Sequence, residues 1–147
     1  GVLQNYTART YRPDVAKRYL QPAGAENPGH VVFGECFWPK PIDRHEVYVT
    51  EGEFNALAIE RVLGEHVALA AVSGSQLRPL NAAHLSTFSR LYVLSDPDAA
   101  GDKLFSFLET GLGRHCELVR VRLPEGSDAD SVPPEVLRTY LEGAAHG

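Results

Sequence analysis

Three groups of carboxylates follow three apolar segments of this 147-residue chain. Their members are Glu51, Asp96, Asp98, Asp128 and Asp130. Carboxylate oxygens are the ligands that Mg²⁺ and Mn²⁺ prefer, and two such cations can bind a phosphate and stabilise both the attacking and the leaving oxygen. Any one group alone is more often a turn or a helix cap, because Asp favours both. The metal interpretation therefore requires that the three groups meet in space.

The elements before these carboxylates predict where they would meet. β-rich segments alternate with helical patterns and lie at residues 46–50, 67–72, 91–94 and 117–121. The first three are nearly continuous apolar runs, typical of parallel strands buried on both faces, and the fourth alternates, as expected nearer an edge. The pattern predicts an α/β fold with a central, mostly parallel four-stranded sheet flanked by helices. The carboxyl ends of such strands share one edge, where ligands bind. Gly64 is expected to end the first helix, and Gly111 with Gly113 the third.

The two ends of the chain differ from this middle part. Residues 1–45 contain five prolines and are predicted to be a small irregular segment with a possible strand at 31–33. Residues 131–142 predict a terminal helix that Ser131 would cap. We expect three parts: an N-terminal irregular segment at 1–45, an α/β domain at 46–132, and a C-terminal helix and tail at 133–147.

The charge distribution constrains any partner. The net charge is −5, yet residues 1–45 carry six basic and four acidic side chains, whereas residues 46–147 carry eight basic and fifteen acidic ones. An acidic module cannot attract phosphates by its own field. It needs bound cations, a basic neighbour, or both.

Other features exclude several classes of protein. Cys36 and Cys116 are far apart and lack a CxxC context, so we expect reduced thiols in a cytoplasmic protein and neither a disulfide framework nor a zinc site. The histidines show no HExxH spacing. No apolar run is long enough to span a membrane, and no signal peptide is visible. Gly at position 1 suggests a piece of a longer protein.

Three strings of the sequence resemble the motifs of Toprim domains. VTEGEFNALA at 49–58 resembles their strand-Glu-Gly-x-x-Asp-Ala-Leu signature, and LSDPDAAG at 94–101 resembles their Asp-x-Asp-x-Ala-Gly motif. LPEGSDAD at 123–130 is similar to the Leu-Pro-x-Gly-x-Asp-x-Asp segment of DnaG-type, phage and plasmid primases. The SGS string at 73–75 falls where these proteins carry a Gly-Thr or Gly-Ser loop. The resemblance covers about residues 46–132 and implies the Toprim fold, which is Rossmann-like.

The resemblance implies a role for each carboxylate. Glu51 would be the acidic residue nearest the chemistry, as metal ligand or as general acid/base. Asp96 and Asp98 would be the main Mg²⁺ or Mn²⁺ ligands. Asp128 and Asp130 would hold further metal, as in DnaG-type primases.

Small residues of the motifs also receive roles from the resemblance. Gly52 would keep the floor of the site open for a phosphate, and Gly74 and Ser75 would contact nucleotide or nucleic acid. Ala100 and Gly101 would let the following helix start close to the sheet. For Gly52 and Gly101, ordinary turn chemistry is the alternative.

Two positions qualify the resemblance. Asn55 stands where many primases carry Asp, and an amide can coordinate Mg²⁺ through its oxygen but brings no charge. Lys17 and Arg18 lie in a stretch similar to the one before Toprim in primases, where basic residues help hold template or nucleoside triphosphate. A solvated basic turn is the alternative for this pair.

The resemblance leaves three functions open. The first is a Mg²⁺-dependent nucleotidyltransferase, the catalytic part of a DNA primase that acts on a single-stranded DNA template with nucleoside triphosphates. A helicase or other replication domains would lie outside this chain, and the fragment alone could be inactive. The second is a Toprim nuclease with the same carboxylates. The third is a non-catalytic module for nucleic-acid binding or assembly, with Asn55 as a sign of decay.

Overall fold

A computed structural model describes residues 8–9, 19–20, 33–34, 38, 44–64, 67–72 and 79–146 of the chain. The elements in these residues are, in chain order, β1 (Ala8–Arg9), β2 (Tyr19–Leu20), β3 (Glu46–Thr50), α1 (Glu53–Leu63), β4 (Leu69–Ala71), α2 (Pro79–Leu85), β5 (Arg90–Leu94), α3 (Ala99–Leu112), β6 (Glu117–Val121) and α4 (Pro134–His146). The first two strands form a short antiparallel pair. The other four form the central sheet.

The central sheet has the order β4-β3-β5-β6, and each neighbouring pair is parallel. This confirms the predicted α/β fold with a parallel four-stranded sheet. β6 lies at an edge of this sheet, as its alternating sequence predicted. β4 is shorter than the predicted segment 67–72, but the pairing continues beyond it, since the Val72 N–H donates to the Thr50 carbonyl over 3.0 Å.

Helices cover both faces of the sheet, so that alternate residues of each strand face different cores. One core joins the sheet to α2 and α3; its strand residues include Val47, Val49, Ala70, Leu91 and Val93. The other joins the sheet to α1 and α4; its strand residues include Tyr48, Tyr92, Leu94 and Val121. Burial on both faces explains the continuous apolar runs, because neither side of the inner strands meets water.

The helix ends agree with the sequence at two of the predicted positions. Gly64 ends α1 with a φ of 98°, and its N–H donates to the Glu60 carbonyl over 2.7 Å. Gly113 ends α3, whereas Gly111 lies inside this helix. The terminal helix begins at Pro134, later than predicted, and the Ser131 hydroxyl donates to the Asp128 carbonyl of the preceding loop.

None of the described helices is both long and apolar enough to cross a membrane.

Part of the N-terminal segment covers the outer edge of β4. The Phe33 carbonyl accepts from the Ala71 N–H over 3.3 Å, and the Trp38 indole N–H donates to the Leu69 carbonyl over 2.6 Å. Trp38 is buried against Phe88 in the core beside α2. Of the predicted strand at 31–33, Phe33 forms a single bridge, and the other two positions lie outside the described residues. The boundary at residue 45 stays a prediction, although these contacts cross it.

At the opposite end of the strands, the amino ends are joined by a polar network. Arg90 Nε donates to Glu117 Oε2 over 2.8 Å. The Tyr92 hydroxyl donates to Glu46 Oε1 over 3.1 Å, and its ring stacks on Tyr48 with 4.8 Å between centroids. Burial, followed by the neighbouring Tyr92 and Glu46, raises the pKa of Tyr48 to about 12. The network fixes the register of three adjacent strands.

Removal of one hydroxyl tests this network. Tyr92→Phe keeps the buried stacked ring but leaves Glu46 without its hydroxyl donor. We expect the free energy of unfolding in urea to fall by about 1 kcal/mol, the ordinary net value of such a bond. Tyr140→Phe, which removes a hydroxyl from a partly exposed ring, serves as control and should change little. Equal effects of the two substitutions would contradict the role of the network.

Candidate functional site

The carboxyl edge of the sheet gathers the predicted acidic residues. Glu51 follows β3, the segment 96–98 follows β5, and the loop 122–133 after β6 carries the remaining two. Leu123 and Ala129 of this loop are buried in the core beside α1 and α4. These apolar anchors hold the loop against the body of the domain, so its carboxylates lie beside the other two groups.

Glu51 and Asp96 meet directly. The Asp96 backbone N–H donates to Glu51 Oε1 over 3.4 Å. Burial raises the pKa of Glu51, and the charges of Asp96 and Asp98 raise it further against the opposing effect of that hydrogen bond. The carboxyl end of β3 is therefore electrostatically coupled to that of β5.

Asp96 is the centre of the cluster. Burial raises the pKa of its carboxyl, followed by the charges of Asp128, Asp98 and Asp130. Both burial and nearby like charges disfavour the ionised form of a carboxyl and so raise its pKa. Asp96 thus lies within electrostatic range of the other three Asp residues, and Glu51 within range of Asp96 and Asp98.

Asp98 has a structural role as well. Its Oδ1 accepts hydrogen bonds from the Ala100 and Gly101 N–H groups, over 2.8 and 2.9 Å, and caps α3. A Cβ on Gly101 would overlap the Asp96 backbone, so glycine lets α3 start close to the sheet, as predicted. The cap that the sequence offered as an alternative to metal binding is present, and it occupies one of the two carboxylate oxygens.

Asp128 is held by a residue that the sequence analysis assigned to another role. The Ser131 hydroxyl accepts from the Asp128 N–H over 3.0 Å and donates to the Asp128 carbonyl over 2.9 Å. Burial acts to raise the pKa of the Asp128 carboxyl, but hydrogen bonds involving Ser131 and Asp130 outweigh it, so this pKa lies below its ordinary value. Asp128 Oδ1 is buried and, within the described part of the chain, has no hydrogen-bond partner. The three-residue spacing of Asp128 and Ser131 was the available signal for this turn.

Three of the five carboxylates line a cleft of about 280 Å³. Its lining residues are Asp96, Pro97, Asp98, Gly126, Ser127, Asp128 and Ser131. No lysine or arginine is among them, so these walls cannot hold a phosphate by charge.

The donor chemistry of the cleft suits a hard cation. The charged groups among its described lining residues are carboxylates, burial and like charge raise the pKa of Asp96, and a buried oxygen of Asp128 lacks a partner in the described part of the chain. A cation would relieve each of these penalties. Among residues 44–64, 67–72 and 79–146, however, no three His, Cys, Asp or Glu side chains already converge as a ligand sphere.

The other predicted site residues have different outcomes. Gly52 has an extended φ of −129°, and a Cβ there would meet nothing within 4 Å, so its backbone does not require glycine. Asn55 lies half-buried in the first turn of α1, close in sequence to Glu51. The predicted nucleic-acid and nucleotide contacts lie outside the described residues: Lys17, Arg18, Gly74 and Ser75.

Comparison with known families decides the classification. A family model of the Toprim domain matches residues 46–138, more than half of the chain. The chain belongs to the Toprim family. The comparison with curated proteins found no match.

Several solved structures that share the fold come from primases. The chain superposes on the Aquifex aeolicus primase (zinc-binding and RNA polymerase domains) with a TM-score of 0.76 and 23% identity, which covers 99% of this chain and 37% of that one. The superposition on the E. coli primase catalytic core has a TM-score of 0.74 and 19% sequence identity, and it covers 97% of this chain and 47% of that one. The superposition on a DnaG primase catalytic domain bound to ssDNA has a TM-score of 0.72 and 20% sequence identity, and it covers 95% of this chain and 47% of that one. This Toprim chain therefore shares their fold and spans less than half of each.

The pKa of Asp96 is raised and that of Asp128 is lowered, so neutralising each carboxylate should have opposite effects on the stability of the fold. Because the pKa of Asp96 is raised on folding, its stabilising contribution is complete below the unfolded pKa and is lost as the pH rises through the folded one. Asp96→Asn should therefore raise the melting temperature at pH 7.5 without metal, by about 1–3 °C after allowance for solvent screening. The gain should vanish below pH ~3.9, the ordinary pKa of Asp.

Asp128→Asn should lower the melting temperature at neutral pH. The pKa of Asp128 is lowered, so its contribution is present above the unfolded pKa and is lost as the pH falls through the folded one. Thermal unfolding followed by circular dichroism between pH 3 and pH 8 measures both effects. Glu125→Gln, which neutralises an exposed carboxylate of the same loop, is the matched control. Shifts of the same sign for the two Asp variants would refute the assignment.

Proposed function

We propose that this chain is the catalytic Toprim part of a DNA primase and joins nucleotides on a single-stranded DNA template with Mg²⁺ or Mn²⁺. The observation that carries the proposal is a cleft lined by Asp96 and Asp98 after β5 and by Asp128 after β6, with Glu51 of the neighbouring β3 end hydrogen-bonded to the Asp96 backbone. The Toprim family and the fold shared with primase catalytic cores support a primase-like function. The Leu-Pro-x-Gly-x-Asp-x-Asp pattern at 123–130 favours this reading within the family.

The cleft carboxylates are the proposed metal ligands. Asp96 would contribute its half-buried carboxylate, and Asp128 its unpartnered Oδ1. Asp98 would use Oδ2, since Oδ1 caps α3. Glu51 and Asp130 would complete the set from either side. When bound, the cations would neutralise charge that develops on the transferred phosphoryl group.

Glu51 also has a second proposed role, that of general acid/base. Its Oε1 accepts the Asp96 N–H, which leaves Oε2 as the atom that could hold a proton. Burial and two neighbouring charges favour the protonated form of this carboxyl. Glu51 would then act as general acid/base next to the metal ligands.

Phosphates would reach the cleft only together with cations. Its described lining lacks basic side chains, so a nucleoside triphosphate would bind here as a metal complex. Lys17, Arg18, Gly74 and Ser75 are the proposed contacts to template or nucleotide. Among the similar structures, one primase catalytic domain is bound to ssDNA, and another is the primase fragment of the phage T7 primase-helicase protein. We propose corresponding partners here: single-stranded DNA, nucleoside triphosphates, and a helicase or other replication domains.

Metal binding is the first test. We expect Mn²⁺ titration in a calorimeter to show binding to the chain, and a Mn²⁺ concentration 100 times the dissociation constant to stabilise it by about 2.7 kcal/mol. Asp96→Asn should abolish both effects, because it removes the central ligand. Glu125→Gln should bind as the unaltered chain does. A chain that binds neither Mn²⁺ nor Mg²⁺ would rule out metal-dependent catalysis by this site.

Primer synthesis is the second test. The chain is incubated with a single-stranded template, labelled nucleoside triphosphates and Mg²⁺, and the products are separated by length. We expect labelled oligomers, with a loss of about 100-fold or more in Asp96→Asn and little change in Glu125→Gln. Ribonucleotides and deoxyribonucleotides supplied separately reveal which product is made.

The alternative functions give different outcomes in this assay. Loss of template without labelled oligomers would identify a nuclease that uses the same carboxylates. No turnover despite metal binding, with template still bound, would favour a non-catalytic binding module. Either result would overturn the proposed synthesis by this chain.

A further inference from the structure

An arginine joins the two elements that carry the Asp pairs. Arg120 lies on β6, and its Nη2 donates to Asp102 Oδ1 on the first turns of α3 over 2.6 Å. Its guanidinium also lies over the Phe105 ring of α3, with 5.1 Å from Cζ to the ring centroid. One side chain thus contacts α3 twice, through charge and through the aromatic face.

The guanidinium of Arg120 is far less exposed than the carboxylate that it contacts. Only 17% of its side chain is exposed, whereas 68% of the Asp102 side chain is exposed. Arg120 Nε is buried and, in the described part of the chain, lacks an acceptor. Asp102 is therefore the carboxylate that compensates a largely desolvated guanidinium. Loss of the Asp102 carboxylate would leave this largely buried charge without its partner.

Each partner is rigidly connected to a part of the candidate site. On the α3 side, Gly101 packs against the Asp96 backbone, and Asp98 caps the same turn. On the β6 side, the strand runs on into the loop 122–133, which holds Asp128. The charge of Asp128 in turn acts on Asp96 across the cleft.

We propose that Arg120 and Asp102 are positioning residues that set the separation between the Asp96–Asp98 turn and the loop of Asp128. The proposal rests on the proposed metal-dependent function and deepens it, because it names what holds the two halves of the ligand set together. Neither residue lines the cleft, and neither belongs to the motifs that the sequence analysis singled out. Asp96 and Asp98 precede α3, and Asp128 follows β6. Because Arg120 on β6 binds Asp102 on α3, it opposes the repulsion between these two groups of carboxylates.

The experiment uses two substitutions of the same residue and a control on the same strand. Arg120→Met removes the charge and keeps an apolar stem over Phe105. Arg120→Lys keeps a charge that can still pair with Asp102. Glu117→Gln breaks the ion pair with Arg90 at the other end of β6, far from the cleft, and so reports a general loss of strand anchoring. Each protein is measured by Mn²⁺ titration and, without metal, by hydrogen exchange at the amides of 98–102 and 127–132.

We expect Arg120→Met to weaken Mn²⁺ binding by about 10-fold, in the range known for residues that orient metal ligands, and to speed exchange in both segments. Arg120→Lys should restore most of the affinity, and Glu117→Gln should leave affinity and exchange near those of the unaltered chain. Melting temperatures, measured in parallel, separate this effect from global destabilisation.

Two results would overturn the proposal: unchanged exchange in Arg120→Met, or an equal change in Glu117→Gln. If the unaltered chain binds no Mn²⁺, the proposed metal function fails, but the exchange measurements still decide whether the pair holds the two segments together.

Discussion

Repulsion among carboxylates at one edge of the parallel sheet is the constraint on which the rest of this structure depends. Parallel strands place their carboxyl ends side by side, so the acidic residues after β3, β5 and β6 lie along one edge of the sheet. Burial and like charge raise the pKa values of Glu51 and Asp96 there. The apolar packing of helices on both faces of the sheet supplies the stability that lets the fold tolerate this edge.

Local polar contacts limit the repulsion without removing the acids. Asp98 lies at the start of the 14-residue α3, where backbone N–H groups and the helix dipole favour negative charge. Asp128 is stabilised as the carboxylate within a turn closed by Ser131. The members of the cluster thus differ: burial and like charge raise the pKa of Asp96, whereas hydrogen bonds stabilise Asp128 in its charged form. A cation bound here would relieve the repulsion on Asp96 and would find Asp128 already in its charged form.

The fold could be predicted from the sequence because hydrophobic periodicity and topology carry it. The apolar runs identified the inner strands, and the order of strands and helices implied a shared carboxyl edge for Glu51, Asp96 and Asp128. Contacts between residues far apart in the chain leave no periodic pattern in the sequence from which they could be predicted. The helix cap by Asp98 could be anticipated as a local motif, but the pairing of Arg120 with Asp102 depends on the packing of α3 on β6. Ser131 was assigned to the wrong partner because one residue type serves both helix caps and loop turns.

The coverage of β4 has a consequence for how this domain could be moved between proteins. The sequence match to the family begins at residue 46, yet Phe33 and Trp38 bond to the outer edge of β4. A gene fusion cut at that apparent start would expose unpaired backbone groups of a buried strand, and such edges pair readily with other chains. The unit that recombination can transfer intact therefore begins upstream of the segment that sequence similarity recognises.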